Sequence, residues 1–512
     1  TVLSAGAYSL SNLSELLPSG GGQNEVEFVA SGTLPNGKPV ILNSDGTVTA
    51  VAETSTTTPE SIPTGSKTAF NSADTNFAVS ACDPTNNNKF VTAYMDITNS
   101  NYGTAIVGTV SGTSISFGTE YVFESAASSS IAIAFDPINS GKFVVAYKLT
   151  NGHAKVGTVS GTTISFGAQA TFNAASTLST AIAFDPINSG KCVVAYKDGG
   201  NSNQGTACVG TVSGTSISFG TESVFNAAST GFNSVAFDPN TSGKCIIAYQ
   251  NTGSGDKGTS SVGTVSGTSI SFGTAVIFNA SGGALDISVS YDPNIANKFI
   301  IAFTDIGNSS YGTVVIGTVS GTSVTYGSEY VFNTSHTTLS WVSFDNFNAN
   351  TFVIAYRNGQ YDGDGVAVIG TVSGSSISYG SKSVWSSEFS SKNITLSFNA
   401  NKTGQFVIAY IEILVEDQHP WYGVAILGQI ATTVTATNLT STNLLGISAE
   451  AITSGATGKI NVLGGLNEGQ SSLTPASIYY VQGNGTISTV ATAPAQKIGQ
   501  AMSATTLNIK DL

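Results

Sequence analysis

Apolar and polar residues alternate along most of this chain in short runs, and glycine or an Asp-Pro, Ser-Gly or Asn-Gly pair ends each run. A period of two predicts β-strands joined by tight turns, and no stretch keeps the 3.6-residue period of an amphipathic helix. The pattern also repeats on a larger scale. The phrase GTVSGTSISFG recurs with small changes, its leading glycine at Gly108, Gly157, Gly210, Gly263, Gly317 and Gly370, and a degenerate copy, GQI, begins at Gly428. The spacings are 49, 53, 53, 54, 53 and 58 residues. A second phrase precedes each copy: FDPINSGKFVVAY at 135–147, FDPINSGKCVVAY at 184–196 and FDPNTSGKCIIAY at 237–249, with looser versions at 82–94, 291–303, 344–356 and 398–410.

One unit holds four strands. SSIAIAF, ending at Phe135, is strand A, and its small residues suit a crowded position. KFVVAY (142–147) is strand B, a β-branched run that needs burial on both faces. AIVGTV (105–110) represents strand C, and SISFGTEYVF (114–123) alternates as a half-exposed strand D. In the A–B turn, DPxxSGK, Asp starts the turn, Pro fixes φ and Gly takes the left-handed position. The C–D turn, VSGTSI, is a glycine hairpin. Four antiparallel strands at such a period make the blade of a propeller.

The seventh unit has strands A, B and C but no SGTSISFG after them. The missing strand stands at the other end: SIPTGSKTAFNSADTNF (61–77) aligns with SISFGTESVFNAASTGF (216–232). A ring needs this permutation to seal its last blade, and an open array does not. The sequence therefore predicts an all-β, seven-bladed β-propeller over 57–431, closed by its own N-terminal strand. Residues 1–56 and 432–512 are expected to form one discontinuous β domain, each part with its own hairpin: VILNSDGTVTAV (40–51) and YYVQGNGTISTV (479–490). LLGISAEAI, GKINVLGG and QAMSATTLNI read as further strands of that domain.

Composition narrows the partners. Only 10% of residues are charged, and the formal net charge is −13 with the 18 Lys and Arg scattered singly. Nucleic acid, which calls for a basic stripe, is excluded as a partner. No apolar run is long enough for a membrane-spanning helix, so no membrane insertion is expected, and TVLSAGAYSL lacks the basic leader of a signal peptide. Cys82, Cys192, Cys208 and Cys245 show no metal-binding spacing. Cys192 and Cys245 stand where sister repeats have Phe143 and Phe299, so all four read as free thiols acting as small core residues.

Chemistry is sparse. His153, His336 and His419 fall in no acid–base constellation, and no HExxH, GxSxG or P-loop pattern occurs. Asp136, Asp185, Asp238 and Asp292 superficially match a sialidase Asp-box, but the Asp-Pro turn accounts for them. YDGDGV (361–366) is too short for an EF-hand loop and reads as a polar hairpin. Asp286 reads as a solvated carboxylate of the axial channel. Neither catalytic residue, metal nor cofactor is expected, and a glycan-cleaving enzyme would need a carboxylate cluster that the repeats lack. The B–C loops, by contrast, differ in every blade, on the rim opposite the one where the terminal segments enter and leave. Tyr102, Tyr311, Tyr361, His419, Trp421 and Tyr422 on these loops are the candidate ligand-binding residues, as exposed aromatic surface among Asn, Asp and Gln. The widest loop, Glu412 to Tyr422, adds Glu416 and Asp417.

The terminal segments carry a resemblance. GISAEAITSGATGKINVLGGLNEGQSSLTPASIYYVQGNGTIST, followed by KIGQAMSATTLNIK, is similar to modules at the ends of bacteriophage virion proteins, as is ASGTLPNGKPVILNSDGTVTAV. The motifs are SGATGK and LTP-x-x-x-YYV. The resemblance implies a non-enzymatic virion structural protein of the fibre, knob or decoration type, located in the virion and homo-oligomeric on the particle. Its terminal domain would hold other virion proteins and its propeller would meet a host-surface glycan. The alternative is a secreted bacterial lectin or adhesin propeller, extracellular.

Overall fold

The computed structural model describes residues 24–86, 88–359, 363–386, 390–399, 402–415 and 418–510. It divides into two compact units, Pro59–Thr432 and the combined Thr1–Thr58 and Thr433–Leu512. The described residues are strands and turns, with two single 3-10 turns at Thr252–Ser254 and Ile306–Asn308.

Pro59–Thr432 is a seven-bladed β-propeller. Blade three shows the plan. Its strand A is the second half of Ala170–Phe184, strand B is Lys191–Asp198, strand C is Gln204–Ser213, and strand D is Ser216–Phe219 continued by the start of Ser223–Phe237. Phe184 faces Cys192, Val194 faces Cys208, and Val212 faces Ile217. Cys192 and Cys245 thus take the strand-B position of Phe143 and Phe299. None of the four cysteines is in a disulfide, and burial pushes the thiols of Cys82, Cys192 and Cys245 up to about 12, which keeps them protonated and unreactive.

Strand B explains why blades stack. Alternate residues of Lys142–Lys148 enter different cores: Phe143, Val145 and Tyr147 pack toward blade one, Val144 and Ala146 toward blade three. Each gap between neighbouring blades holds a buried apolar cluster of this kind. The last gap closes the ring, where Val407, Ala409, Ile411, Ala425 and Leu427 of blade seven meet Ala78, Phe90, Tyr94 and Ile106 of blade one.

The N-terminal strand completes blade seven, whose sheet runs Ser390–Phe398, Gln405–Val415, Gln418–Gln429, Ser61–Asn71. Ala425 faces Thr68, and Gln429 faces Ser61, so the chain enters and leaves the propeller at one point. The imported strand repeats the native packing. Phe70 lies over Gly423 as Phe123 lies over Gly103, and a Cβ at Gly65 would strike the Thr113 carbonyl oxygen of blade one, as one at Gly118 would strike that of Thr162.

The repeated aspartates hold turns and join blades. Asp238 Oδ1 accepts the Asn240 amide at 2.9 Å, and its Oδ2 accepts the amide of Asn297 in the next blade at 3.1 Å. Asp185 and Asp292 reach Gly243 and Asn350 in the same way, both at 3.0 Å. Their carboxylates are buried in the A–B turns, which is a structural role.

The terminal unit contains a duplication. Glu25–Val29, Pro39–Leu42, Val48–Ala50, Leu444–Ser448 and Thr457–Asn461 form one five-stranded sheet, and Leu466–Asn467, Ile478–Gln482, Ile487–Ser488, Ala495–Ala501 and Leu507–Ile509 form another. With strands numbered along the chain, both sheets have the order 1-5-4-2-3. Details match as well. Asp45 and Asn484 each accept a threonine amide at 3.0 Å and its hydroxyl at 2.7 Å, from Thr47 and Thr486. A Cβ on Gly446 or Gly499 would strike the carbonyl of the adjoining fifth strand, at Asn461 or Asn508. The propeller is inserted between the third and fourth strands of the first copy.

Candidate functional site

The candidate aromatic residues are scattered. Tyr102, Tyr311 and Tyr422 hold one register, the position opposite the end of strand B in blades one, five and seven, where they face Asp96, Asp305 and Glu412. All three are half-buried rather than exposed. Trp421 is half-buried too: it packs on the core between blades seven and one, its backbone N–H donates to Asp74 Oδ1 at 2.7 Å, and the Lys392 ammonium lies 4.1 Å from its ring centre. Tyr422 packs on the core between blades six and seven. Blade seven's wide loop is in fact a lengthened hairpin, with Ile413 opposite Trp421 and Val415 opposite Gln418. Strand B therefore runs past the point where its sisters end, and Trp421 and Tyr422 lie half-buried against the blade cores. Tyr361, Glu416, Asp417 and the side chain of His419 lie outside the described residues.

What the fold does bring together is the mouth of the axial channel. In every blade the innermost strand carries a bulge, and one residue at it has left-handed backbone: Phe77, Ser130, Ser179, Phe232, Asp286, Leu339 and Asn393, with φ between 47° and 56°. None is glycine, although left-handed geometry costs an L-residue roughly 1–2 kcal/mol. The A–B pairing skips at each, for example between Leu178 and Ala181. Neighbouring blades hold the ring in place: the Thr180 amide donates to Ser130 Oγ at 3.1 Å, Asn233 Nδ2 to the Ser179 carbonyl at 3.1 Å, and Ser340 Oγ to the Asp286 carbonyl at 2.8 Å.

A cavity of about 650 Å³ opens at this ring, and five of its seven left-handed residues line it: Phe77, Ser130, Ser179, Phe232 and Asn393. Leu178 and Lys197 stand beside them. Leu178 is 40% exposed and Phe232 39%, large apolar side chains left open to solvent on a ring otherwise built for packing.

Asp286 is not the solvated channel carboxylate that its position suggested. It is half-buried, accepts from the Thr304 hydroxyl at 3.4 Å and from the Leu339 amide, and burial raises its pKa. His153 is a buried polar core residue, its Nδ1 bonded to Gln169 and Thr171 at 3.0 and 3.1 Å, with burial holding its pKa down. His336 faces Tyr311 across a strand pair. Among the described residues, no group of three or more His, Cys, Asp and Glu could hold a metal ion.

No family model and no curated protein matches the chain. Solved structures of similar fold include Sqt1 of Saccharomyces cerevisiae (11% identity, TM-score 0.42, covering 73% of this chain and 100% of that one). A chain of the mitotic checkpoint complex is similar at 7% identity and TM-score 0.48 (72% and 93% covered), and Sqt1 from Chaetomium thermophilum at 13% and 0.43 (71% and 91%). Likeness at this level concerns chain path alone. None of these neighbours is a phage virion protein, and the expected kinship with such proteins is corrected accordingly. The virion role, the virion or extracellular location, the glycan ligand and the lectin alternative go with it. The motifs that suggested the kinship have local explanations: Gly455 of SGATGK is a left-handed turn residue, and Tyr479 and Val481 of YYV fill a small core.

No local signal marks the left-handed ring, because its residues are Phe, Ser, Asp, Leu and Asn, not the glycine that favours such backbone.

Proposed function

We propose that this protein is a non-enzymatic protein-binding propeller that seats a segment of its partner at the mouth of the axial channel. The observation that supports this reading is the cavity itself, where Leu178 and Phe232 remain exposed. A pocket of several hundred cubic ångströms with apolar walls and a few convergent polar groups is the usual form of a binding site. The described part of the mouth offers no nucleophile beside a base and no paired carboxylates, so the reading is one of recognition.

Affinity capture from the source cells with the whole protein should recover a polypeptide partner. The double variant Leu178→Ala, Phe232→Ala should then bind the purified partner more weakly by about 1–3 kcal/mol, the usual cost of losing an anchor, with unchanged thermal unfolding. Ile138→Ala with Ile187→Ala, on the A–B turns, should bind as the parent does. Full binding by the first pair, or loss with the second, would place the partner elsewhere.

A further inference from the structure

We infer, on the reading that the mouth is the partner's seat, that the segment it takes is an acidic stretch of polypeptide carrying apolar side chains. The whole chain is acidic, with 31 Asp and Glu against 18 Lys and Arg. The mouth departs from that balance. Lys197 lines the cavity, and among the described residues its ammonium group has neither a hydrogen-bond partner nor an ion-pair partner. In blade two, Lys148 holds the same register: it pairs with Ser129, itself on the cavity wall, as Lys197 pairs with Leu178.

Nearby carboxylates do not neutralise this group. Asp198, the residue after Lys197, is buried, and its Oδ1 is taken by Asn173 and Gly200. Asp286 belongs to blade five and is not on the cavity wall. On the cavity wall the free ammonium group of Lys197 thus belongs to the residue paired with the exposed Leu178. A carboxylate there would meet Lys197 while its apolar neighbour covered Leu178 and Phe232. Asn233, Gln250 and Asn393 supply amide groups that suit an extended backbone. The cavity is large enough for a few residues and too small for a folded domain. A nucleic acid would need a longer basic track than this.

The test is selection of binders to the whole protein from a displayed random peptide library, followed by anisotropy measurements with the labelled consensus peptide. Selected sequences should place Asp or Glu beside Leu, Phe or Ile. Binding should fall at least tenfold on Lys197→Glu, fall further with Lys148→Glu, and weaken as salt rises from about 50 to 500 mM. Neutral or basic consensus sequences, or no selected binder, would overturn the inference. So would acidic binders indifferent to Lys197→Glu, or displaced equally well by a duplex oligonucleotide of the same charge. Should the inference fail while Leu178→Ala, Phe232→Ala still weakens the captured partner, the mouth remains the site and only the ligand chemistry is wrong. If the captured partner ignores that pair as well, the reading of the site fails too.

Discussion

Deleting residues 59–72 should make the protein self-associate beyond its parent state and unfold at a markedly lower temperature. The segment supplies the outer strand of blade seven, so its loss bares the backbone edge of Gln418–Gln429. It also removes Phe70 and Ile62, both buried in the cores that blade seven shares with its neighbours. Those two side chains are worth about 3–6 kcal/mol by area, a large part of the roughly 5–15 kcal/mol that holds an ordinary domain together. Phe70→Asp keeps the chain length and should be nearly as damaging, because it buries an unpaired charge against Gly423 and Tyr94. Light scattering on a sizing column and a thermal melt read both effects. A truncated protein that keeps the parent's size on the column and melts at the parent's temperature would mean the segment is dispensable.

Asp238→Ala should destabilise the propeller by about 3–6 kcal/mol, since a hydrogen bond to a charged group is worth about 1.5–3 kcal/mol and two amides lose theirs. One amide is Asn240 of its own turn, at 2.9 Å, and the other is Asn297 of the next blade, at 3.1 Å. Asp238→Asn should cost less, about 1–3 kcal/mol, because one oxygen still accepts while the new NH2 group faces the Asn297 donor. Urea midpoints for the three proteins check the order. Equal losses for Asn and Ala would remove the bond between blades from the explanation.

The propeller was legible because its signals are local and repeated. Asp-Pro and Ser-Gly turns fix strand ends, and the VVAY run demands two buried faces, which only stacked blades provide. Even closure could be read, since 61–77 repeats the residues of 216–232. The duplicated terminal module was harder. Its two copies share little beyond Leu34 and Leu473, the Asp45-Gly46-Thr47 and Asn484-Gly485-Thr486 turns, and Gly446 and Gly499, and the propeller splits the first copy in two. The candidate site was least legible. Reading Trp421 and Tyr422 as loop residues failed because strand pairing continues to Val415 and draws both rings against the core. The mouth is assembled from single residues far apart in sequence, and a local pattern cannot announce such a site.

Ring closure is the claim on which the rest depends, and amide hydrogen exchange of Ser61–Asn71 tests it most directly. The closed ring predicts that the amide of Thr68, which is directed at its pair Ala425, exchanges as slowly as those of Val144 and Val145 in a central strand, through opening of the whole propeller. Exchange within seconds across Ser61–Asn71, while Val144 and Val145 stay protected, would show that the strand is not part of blade seven and that the ring is open.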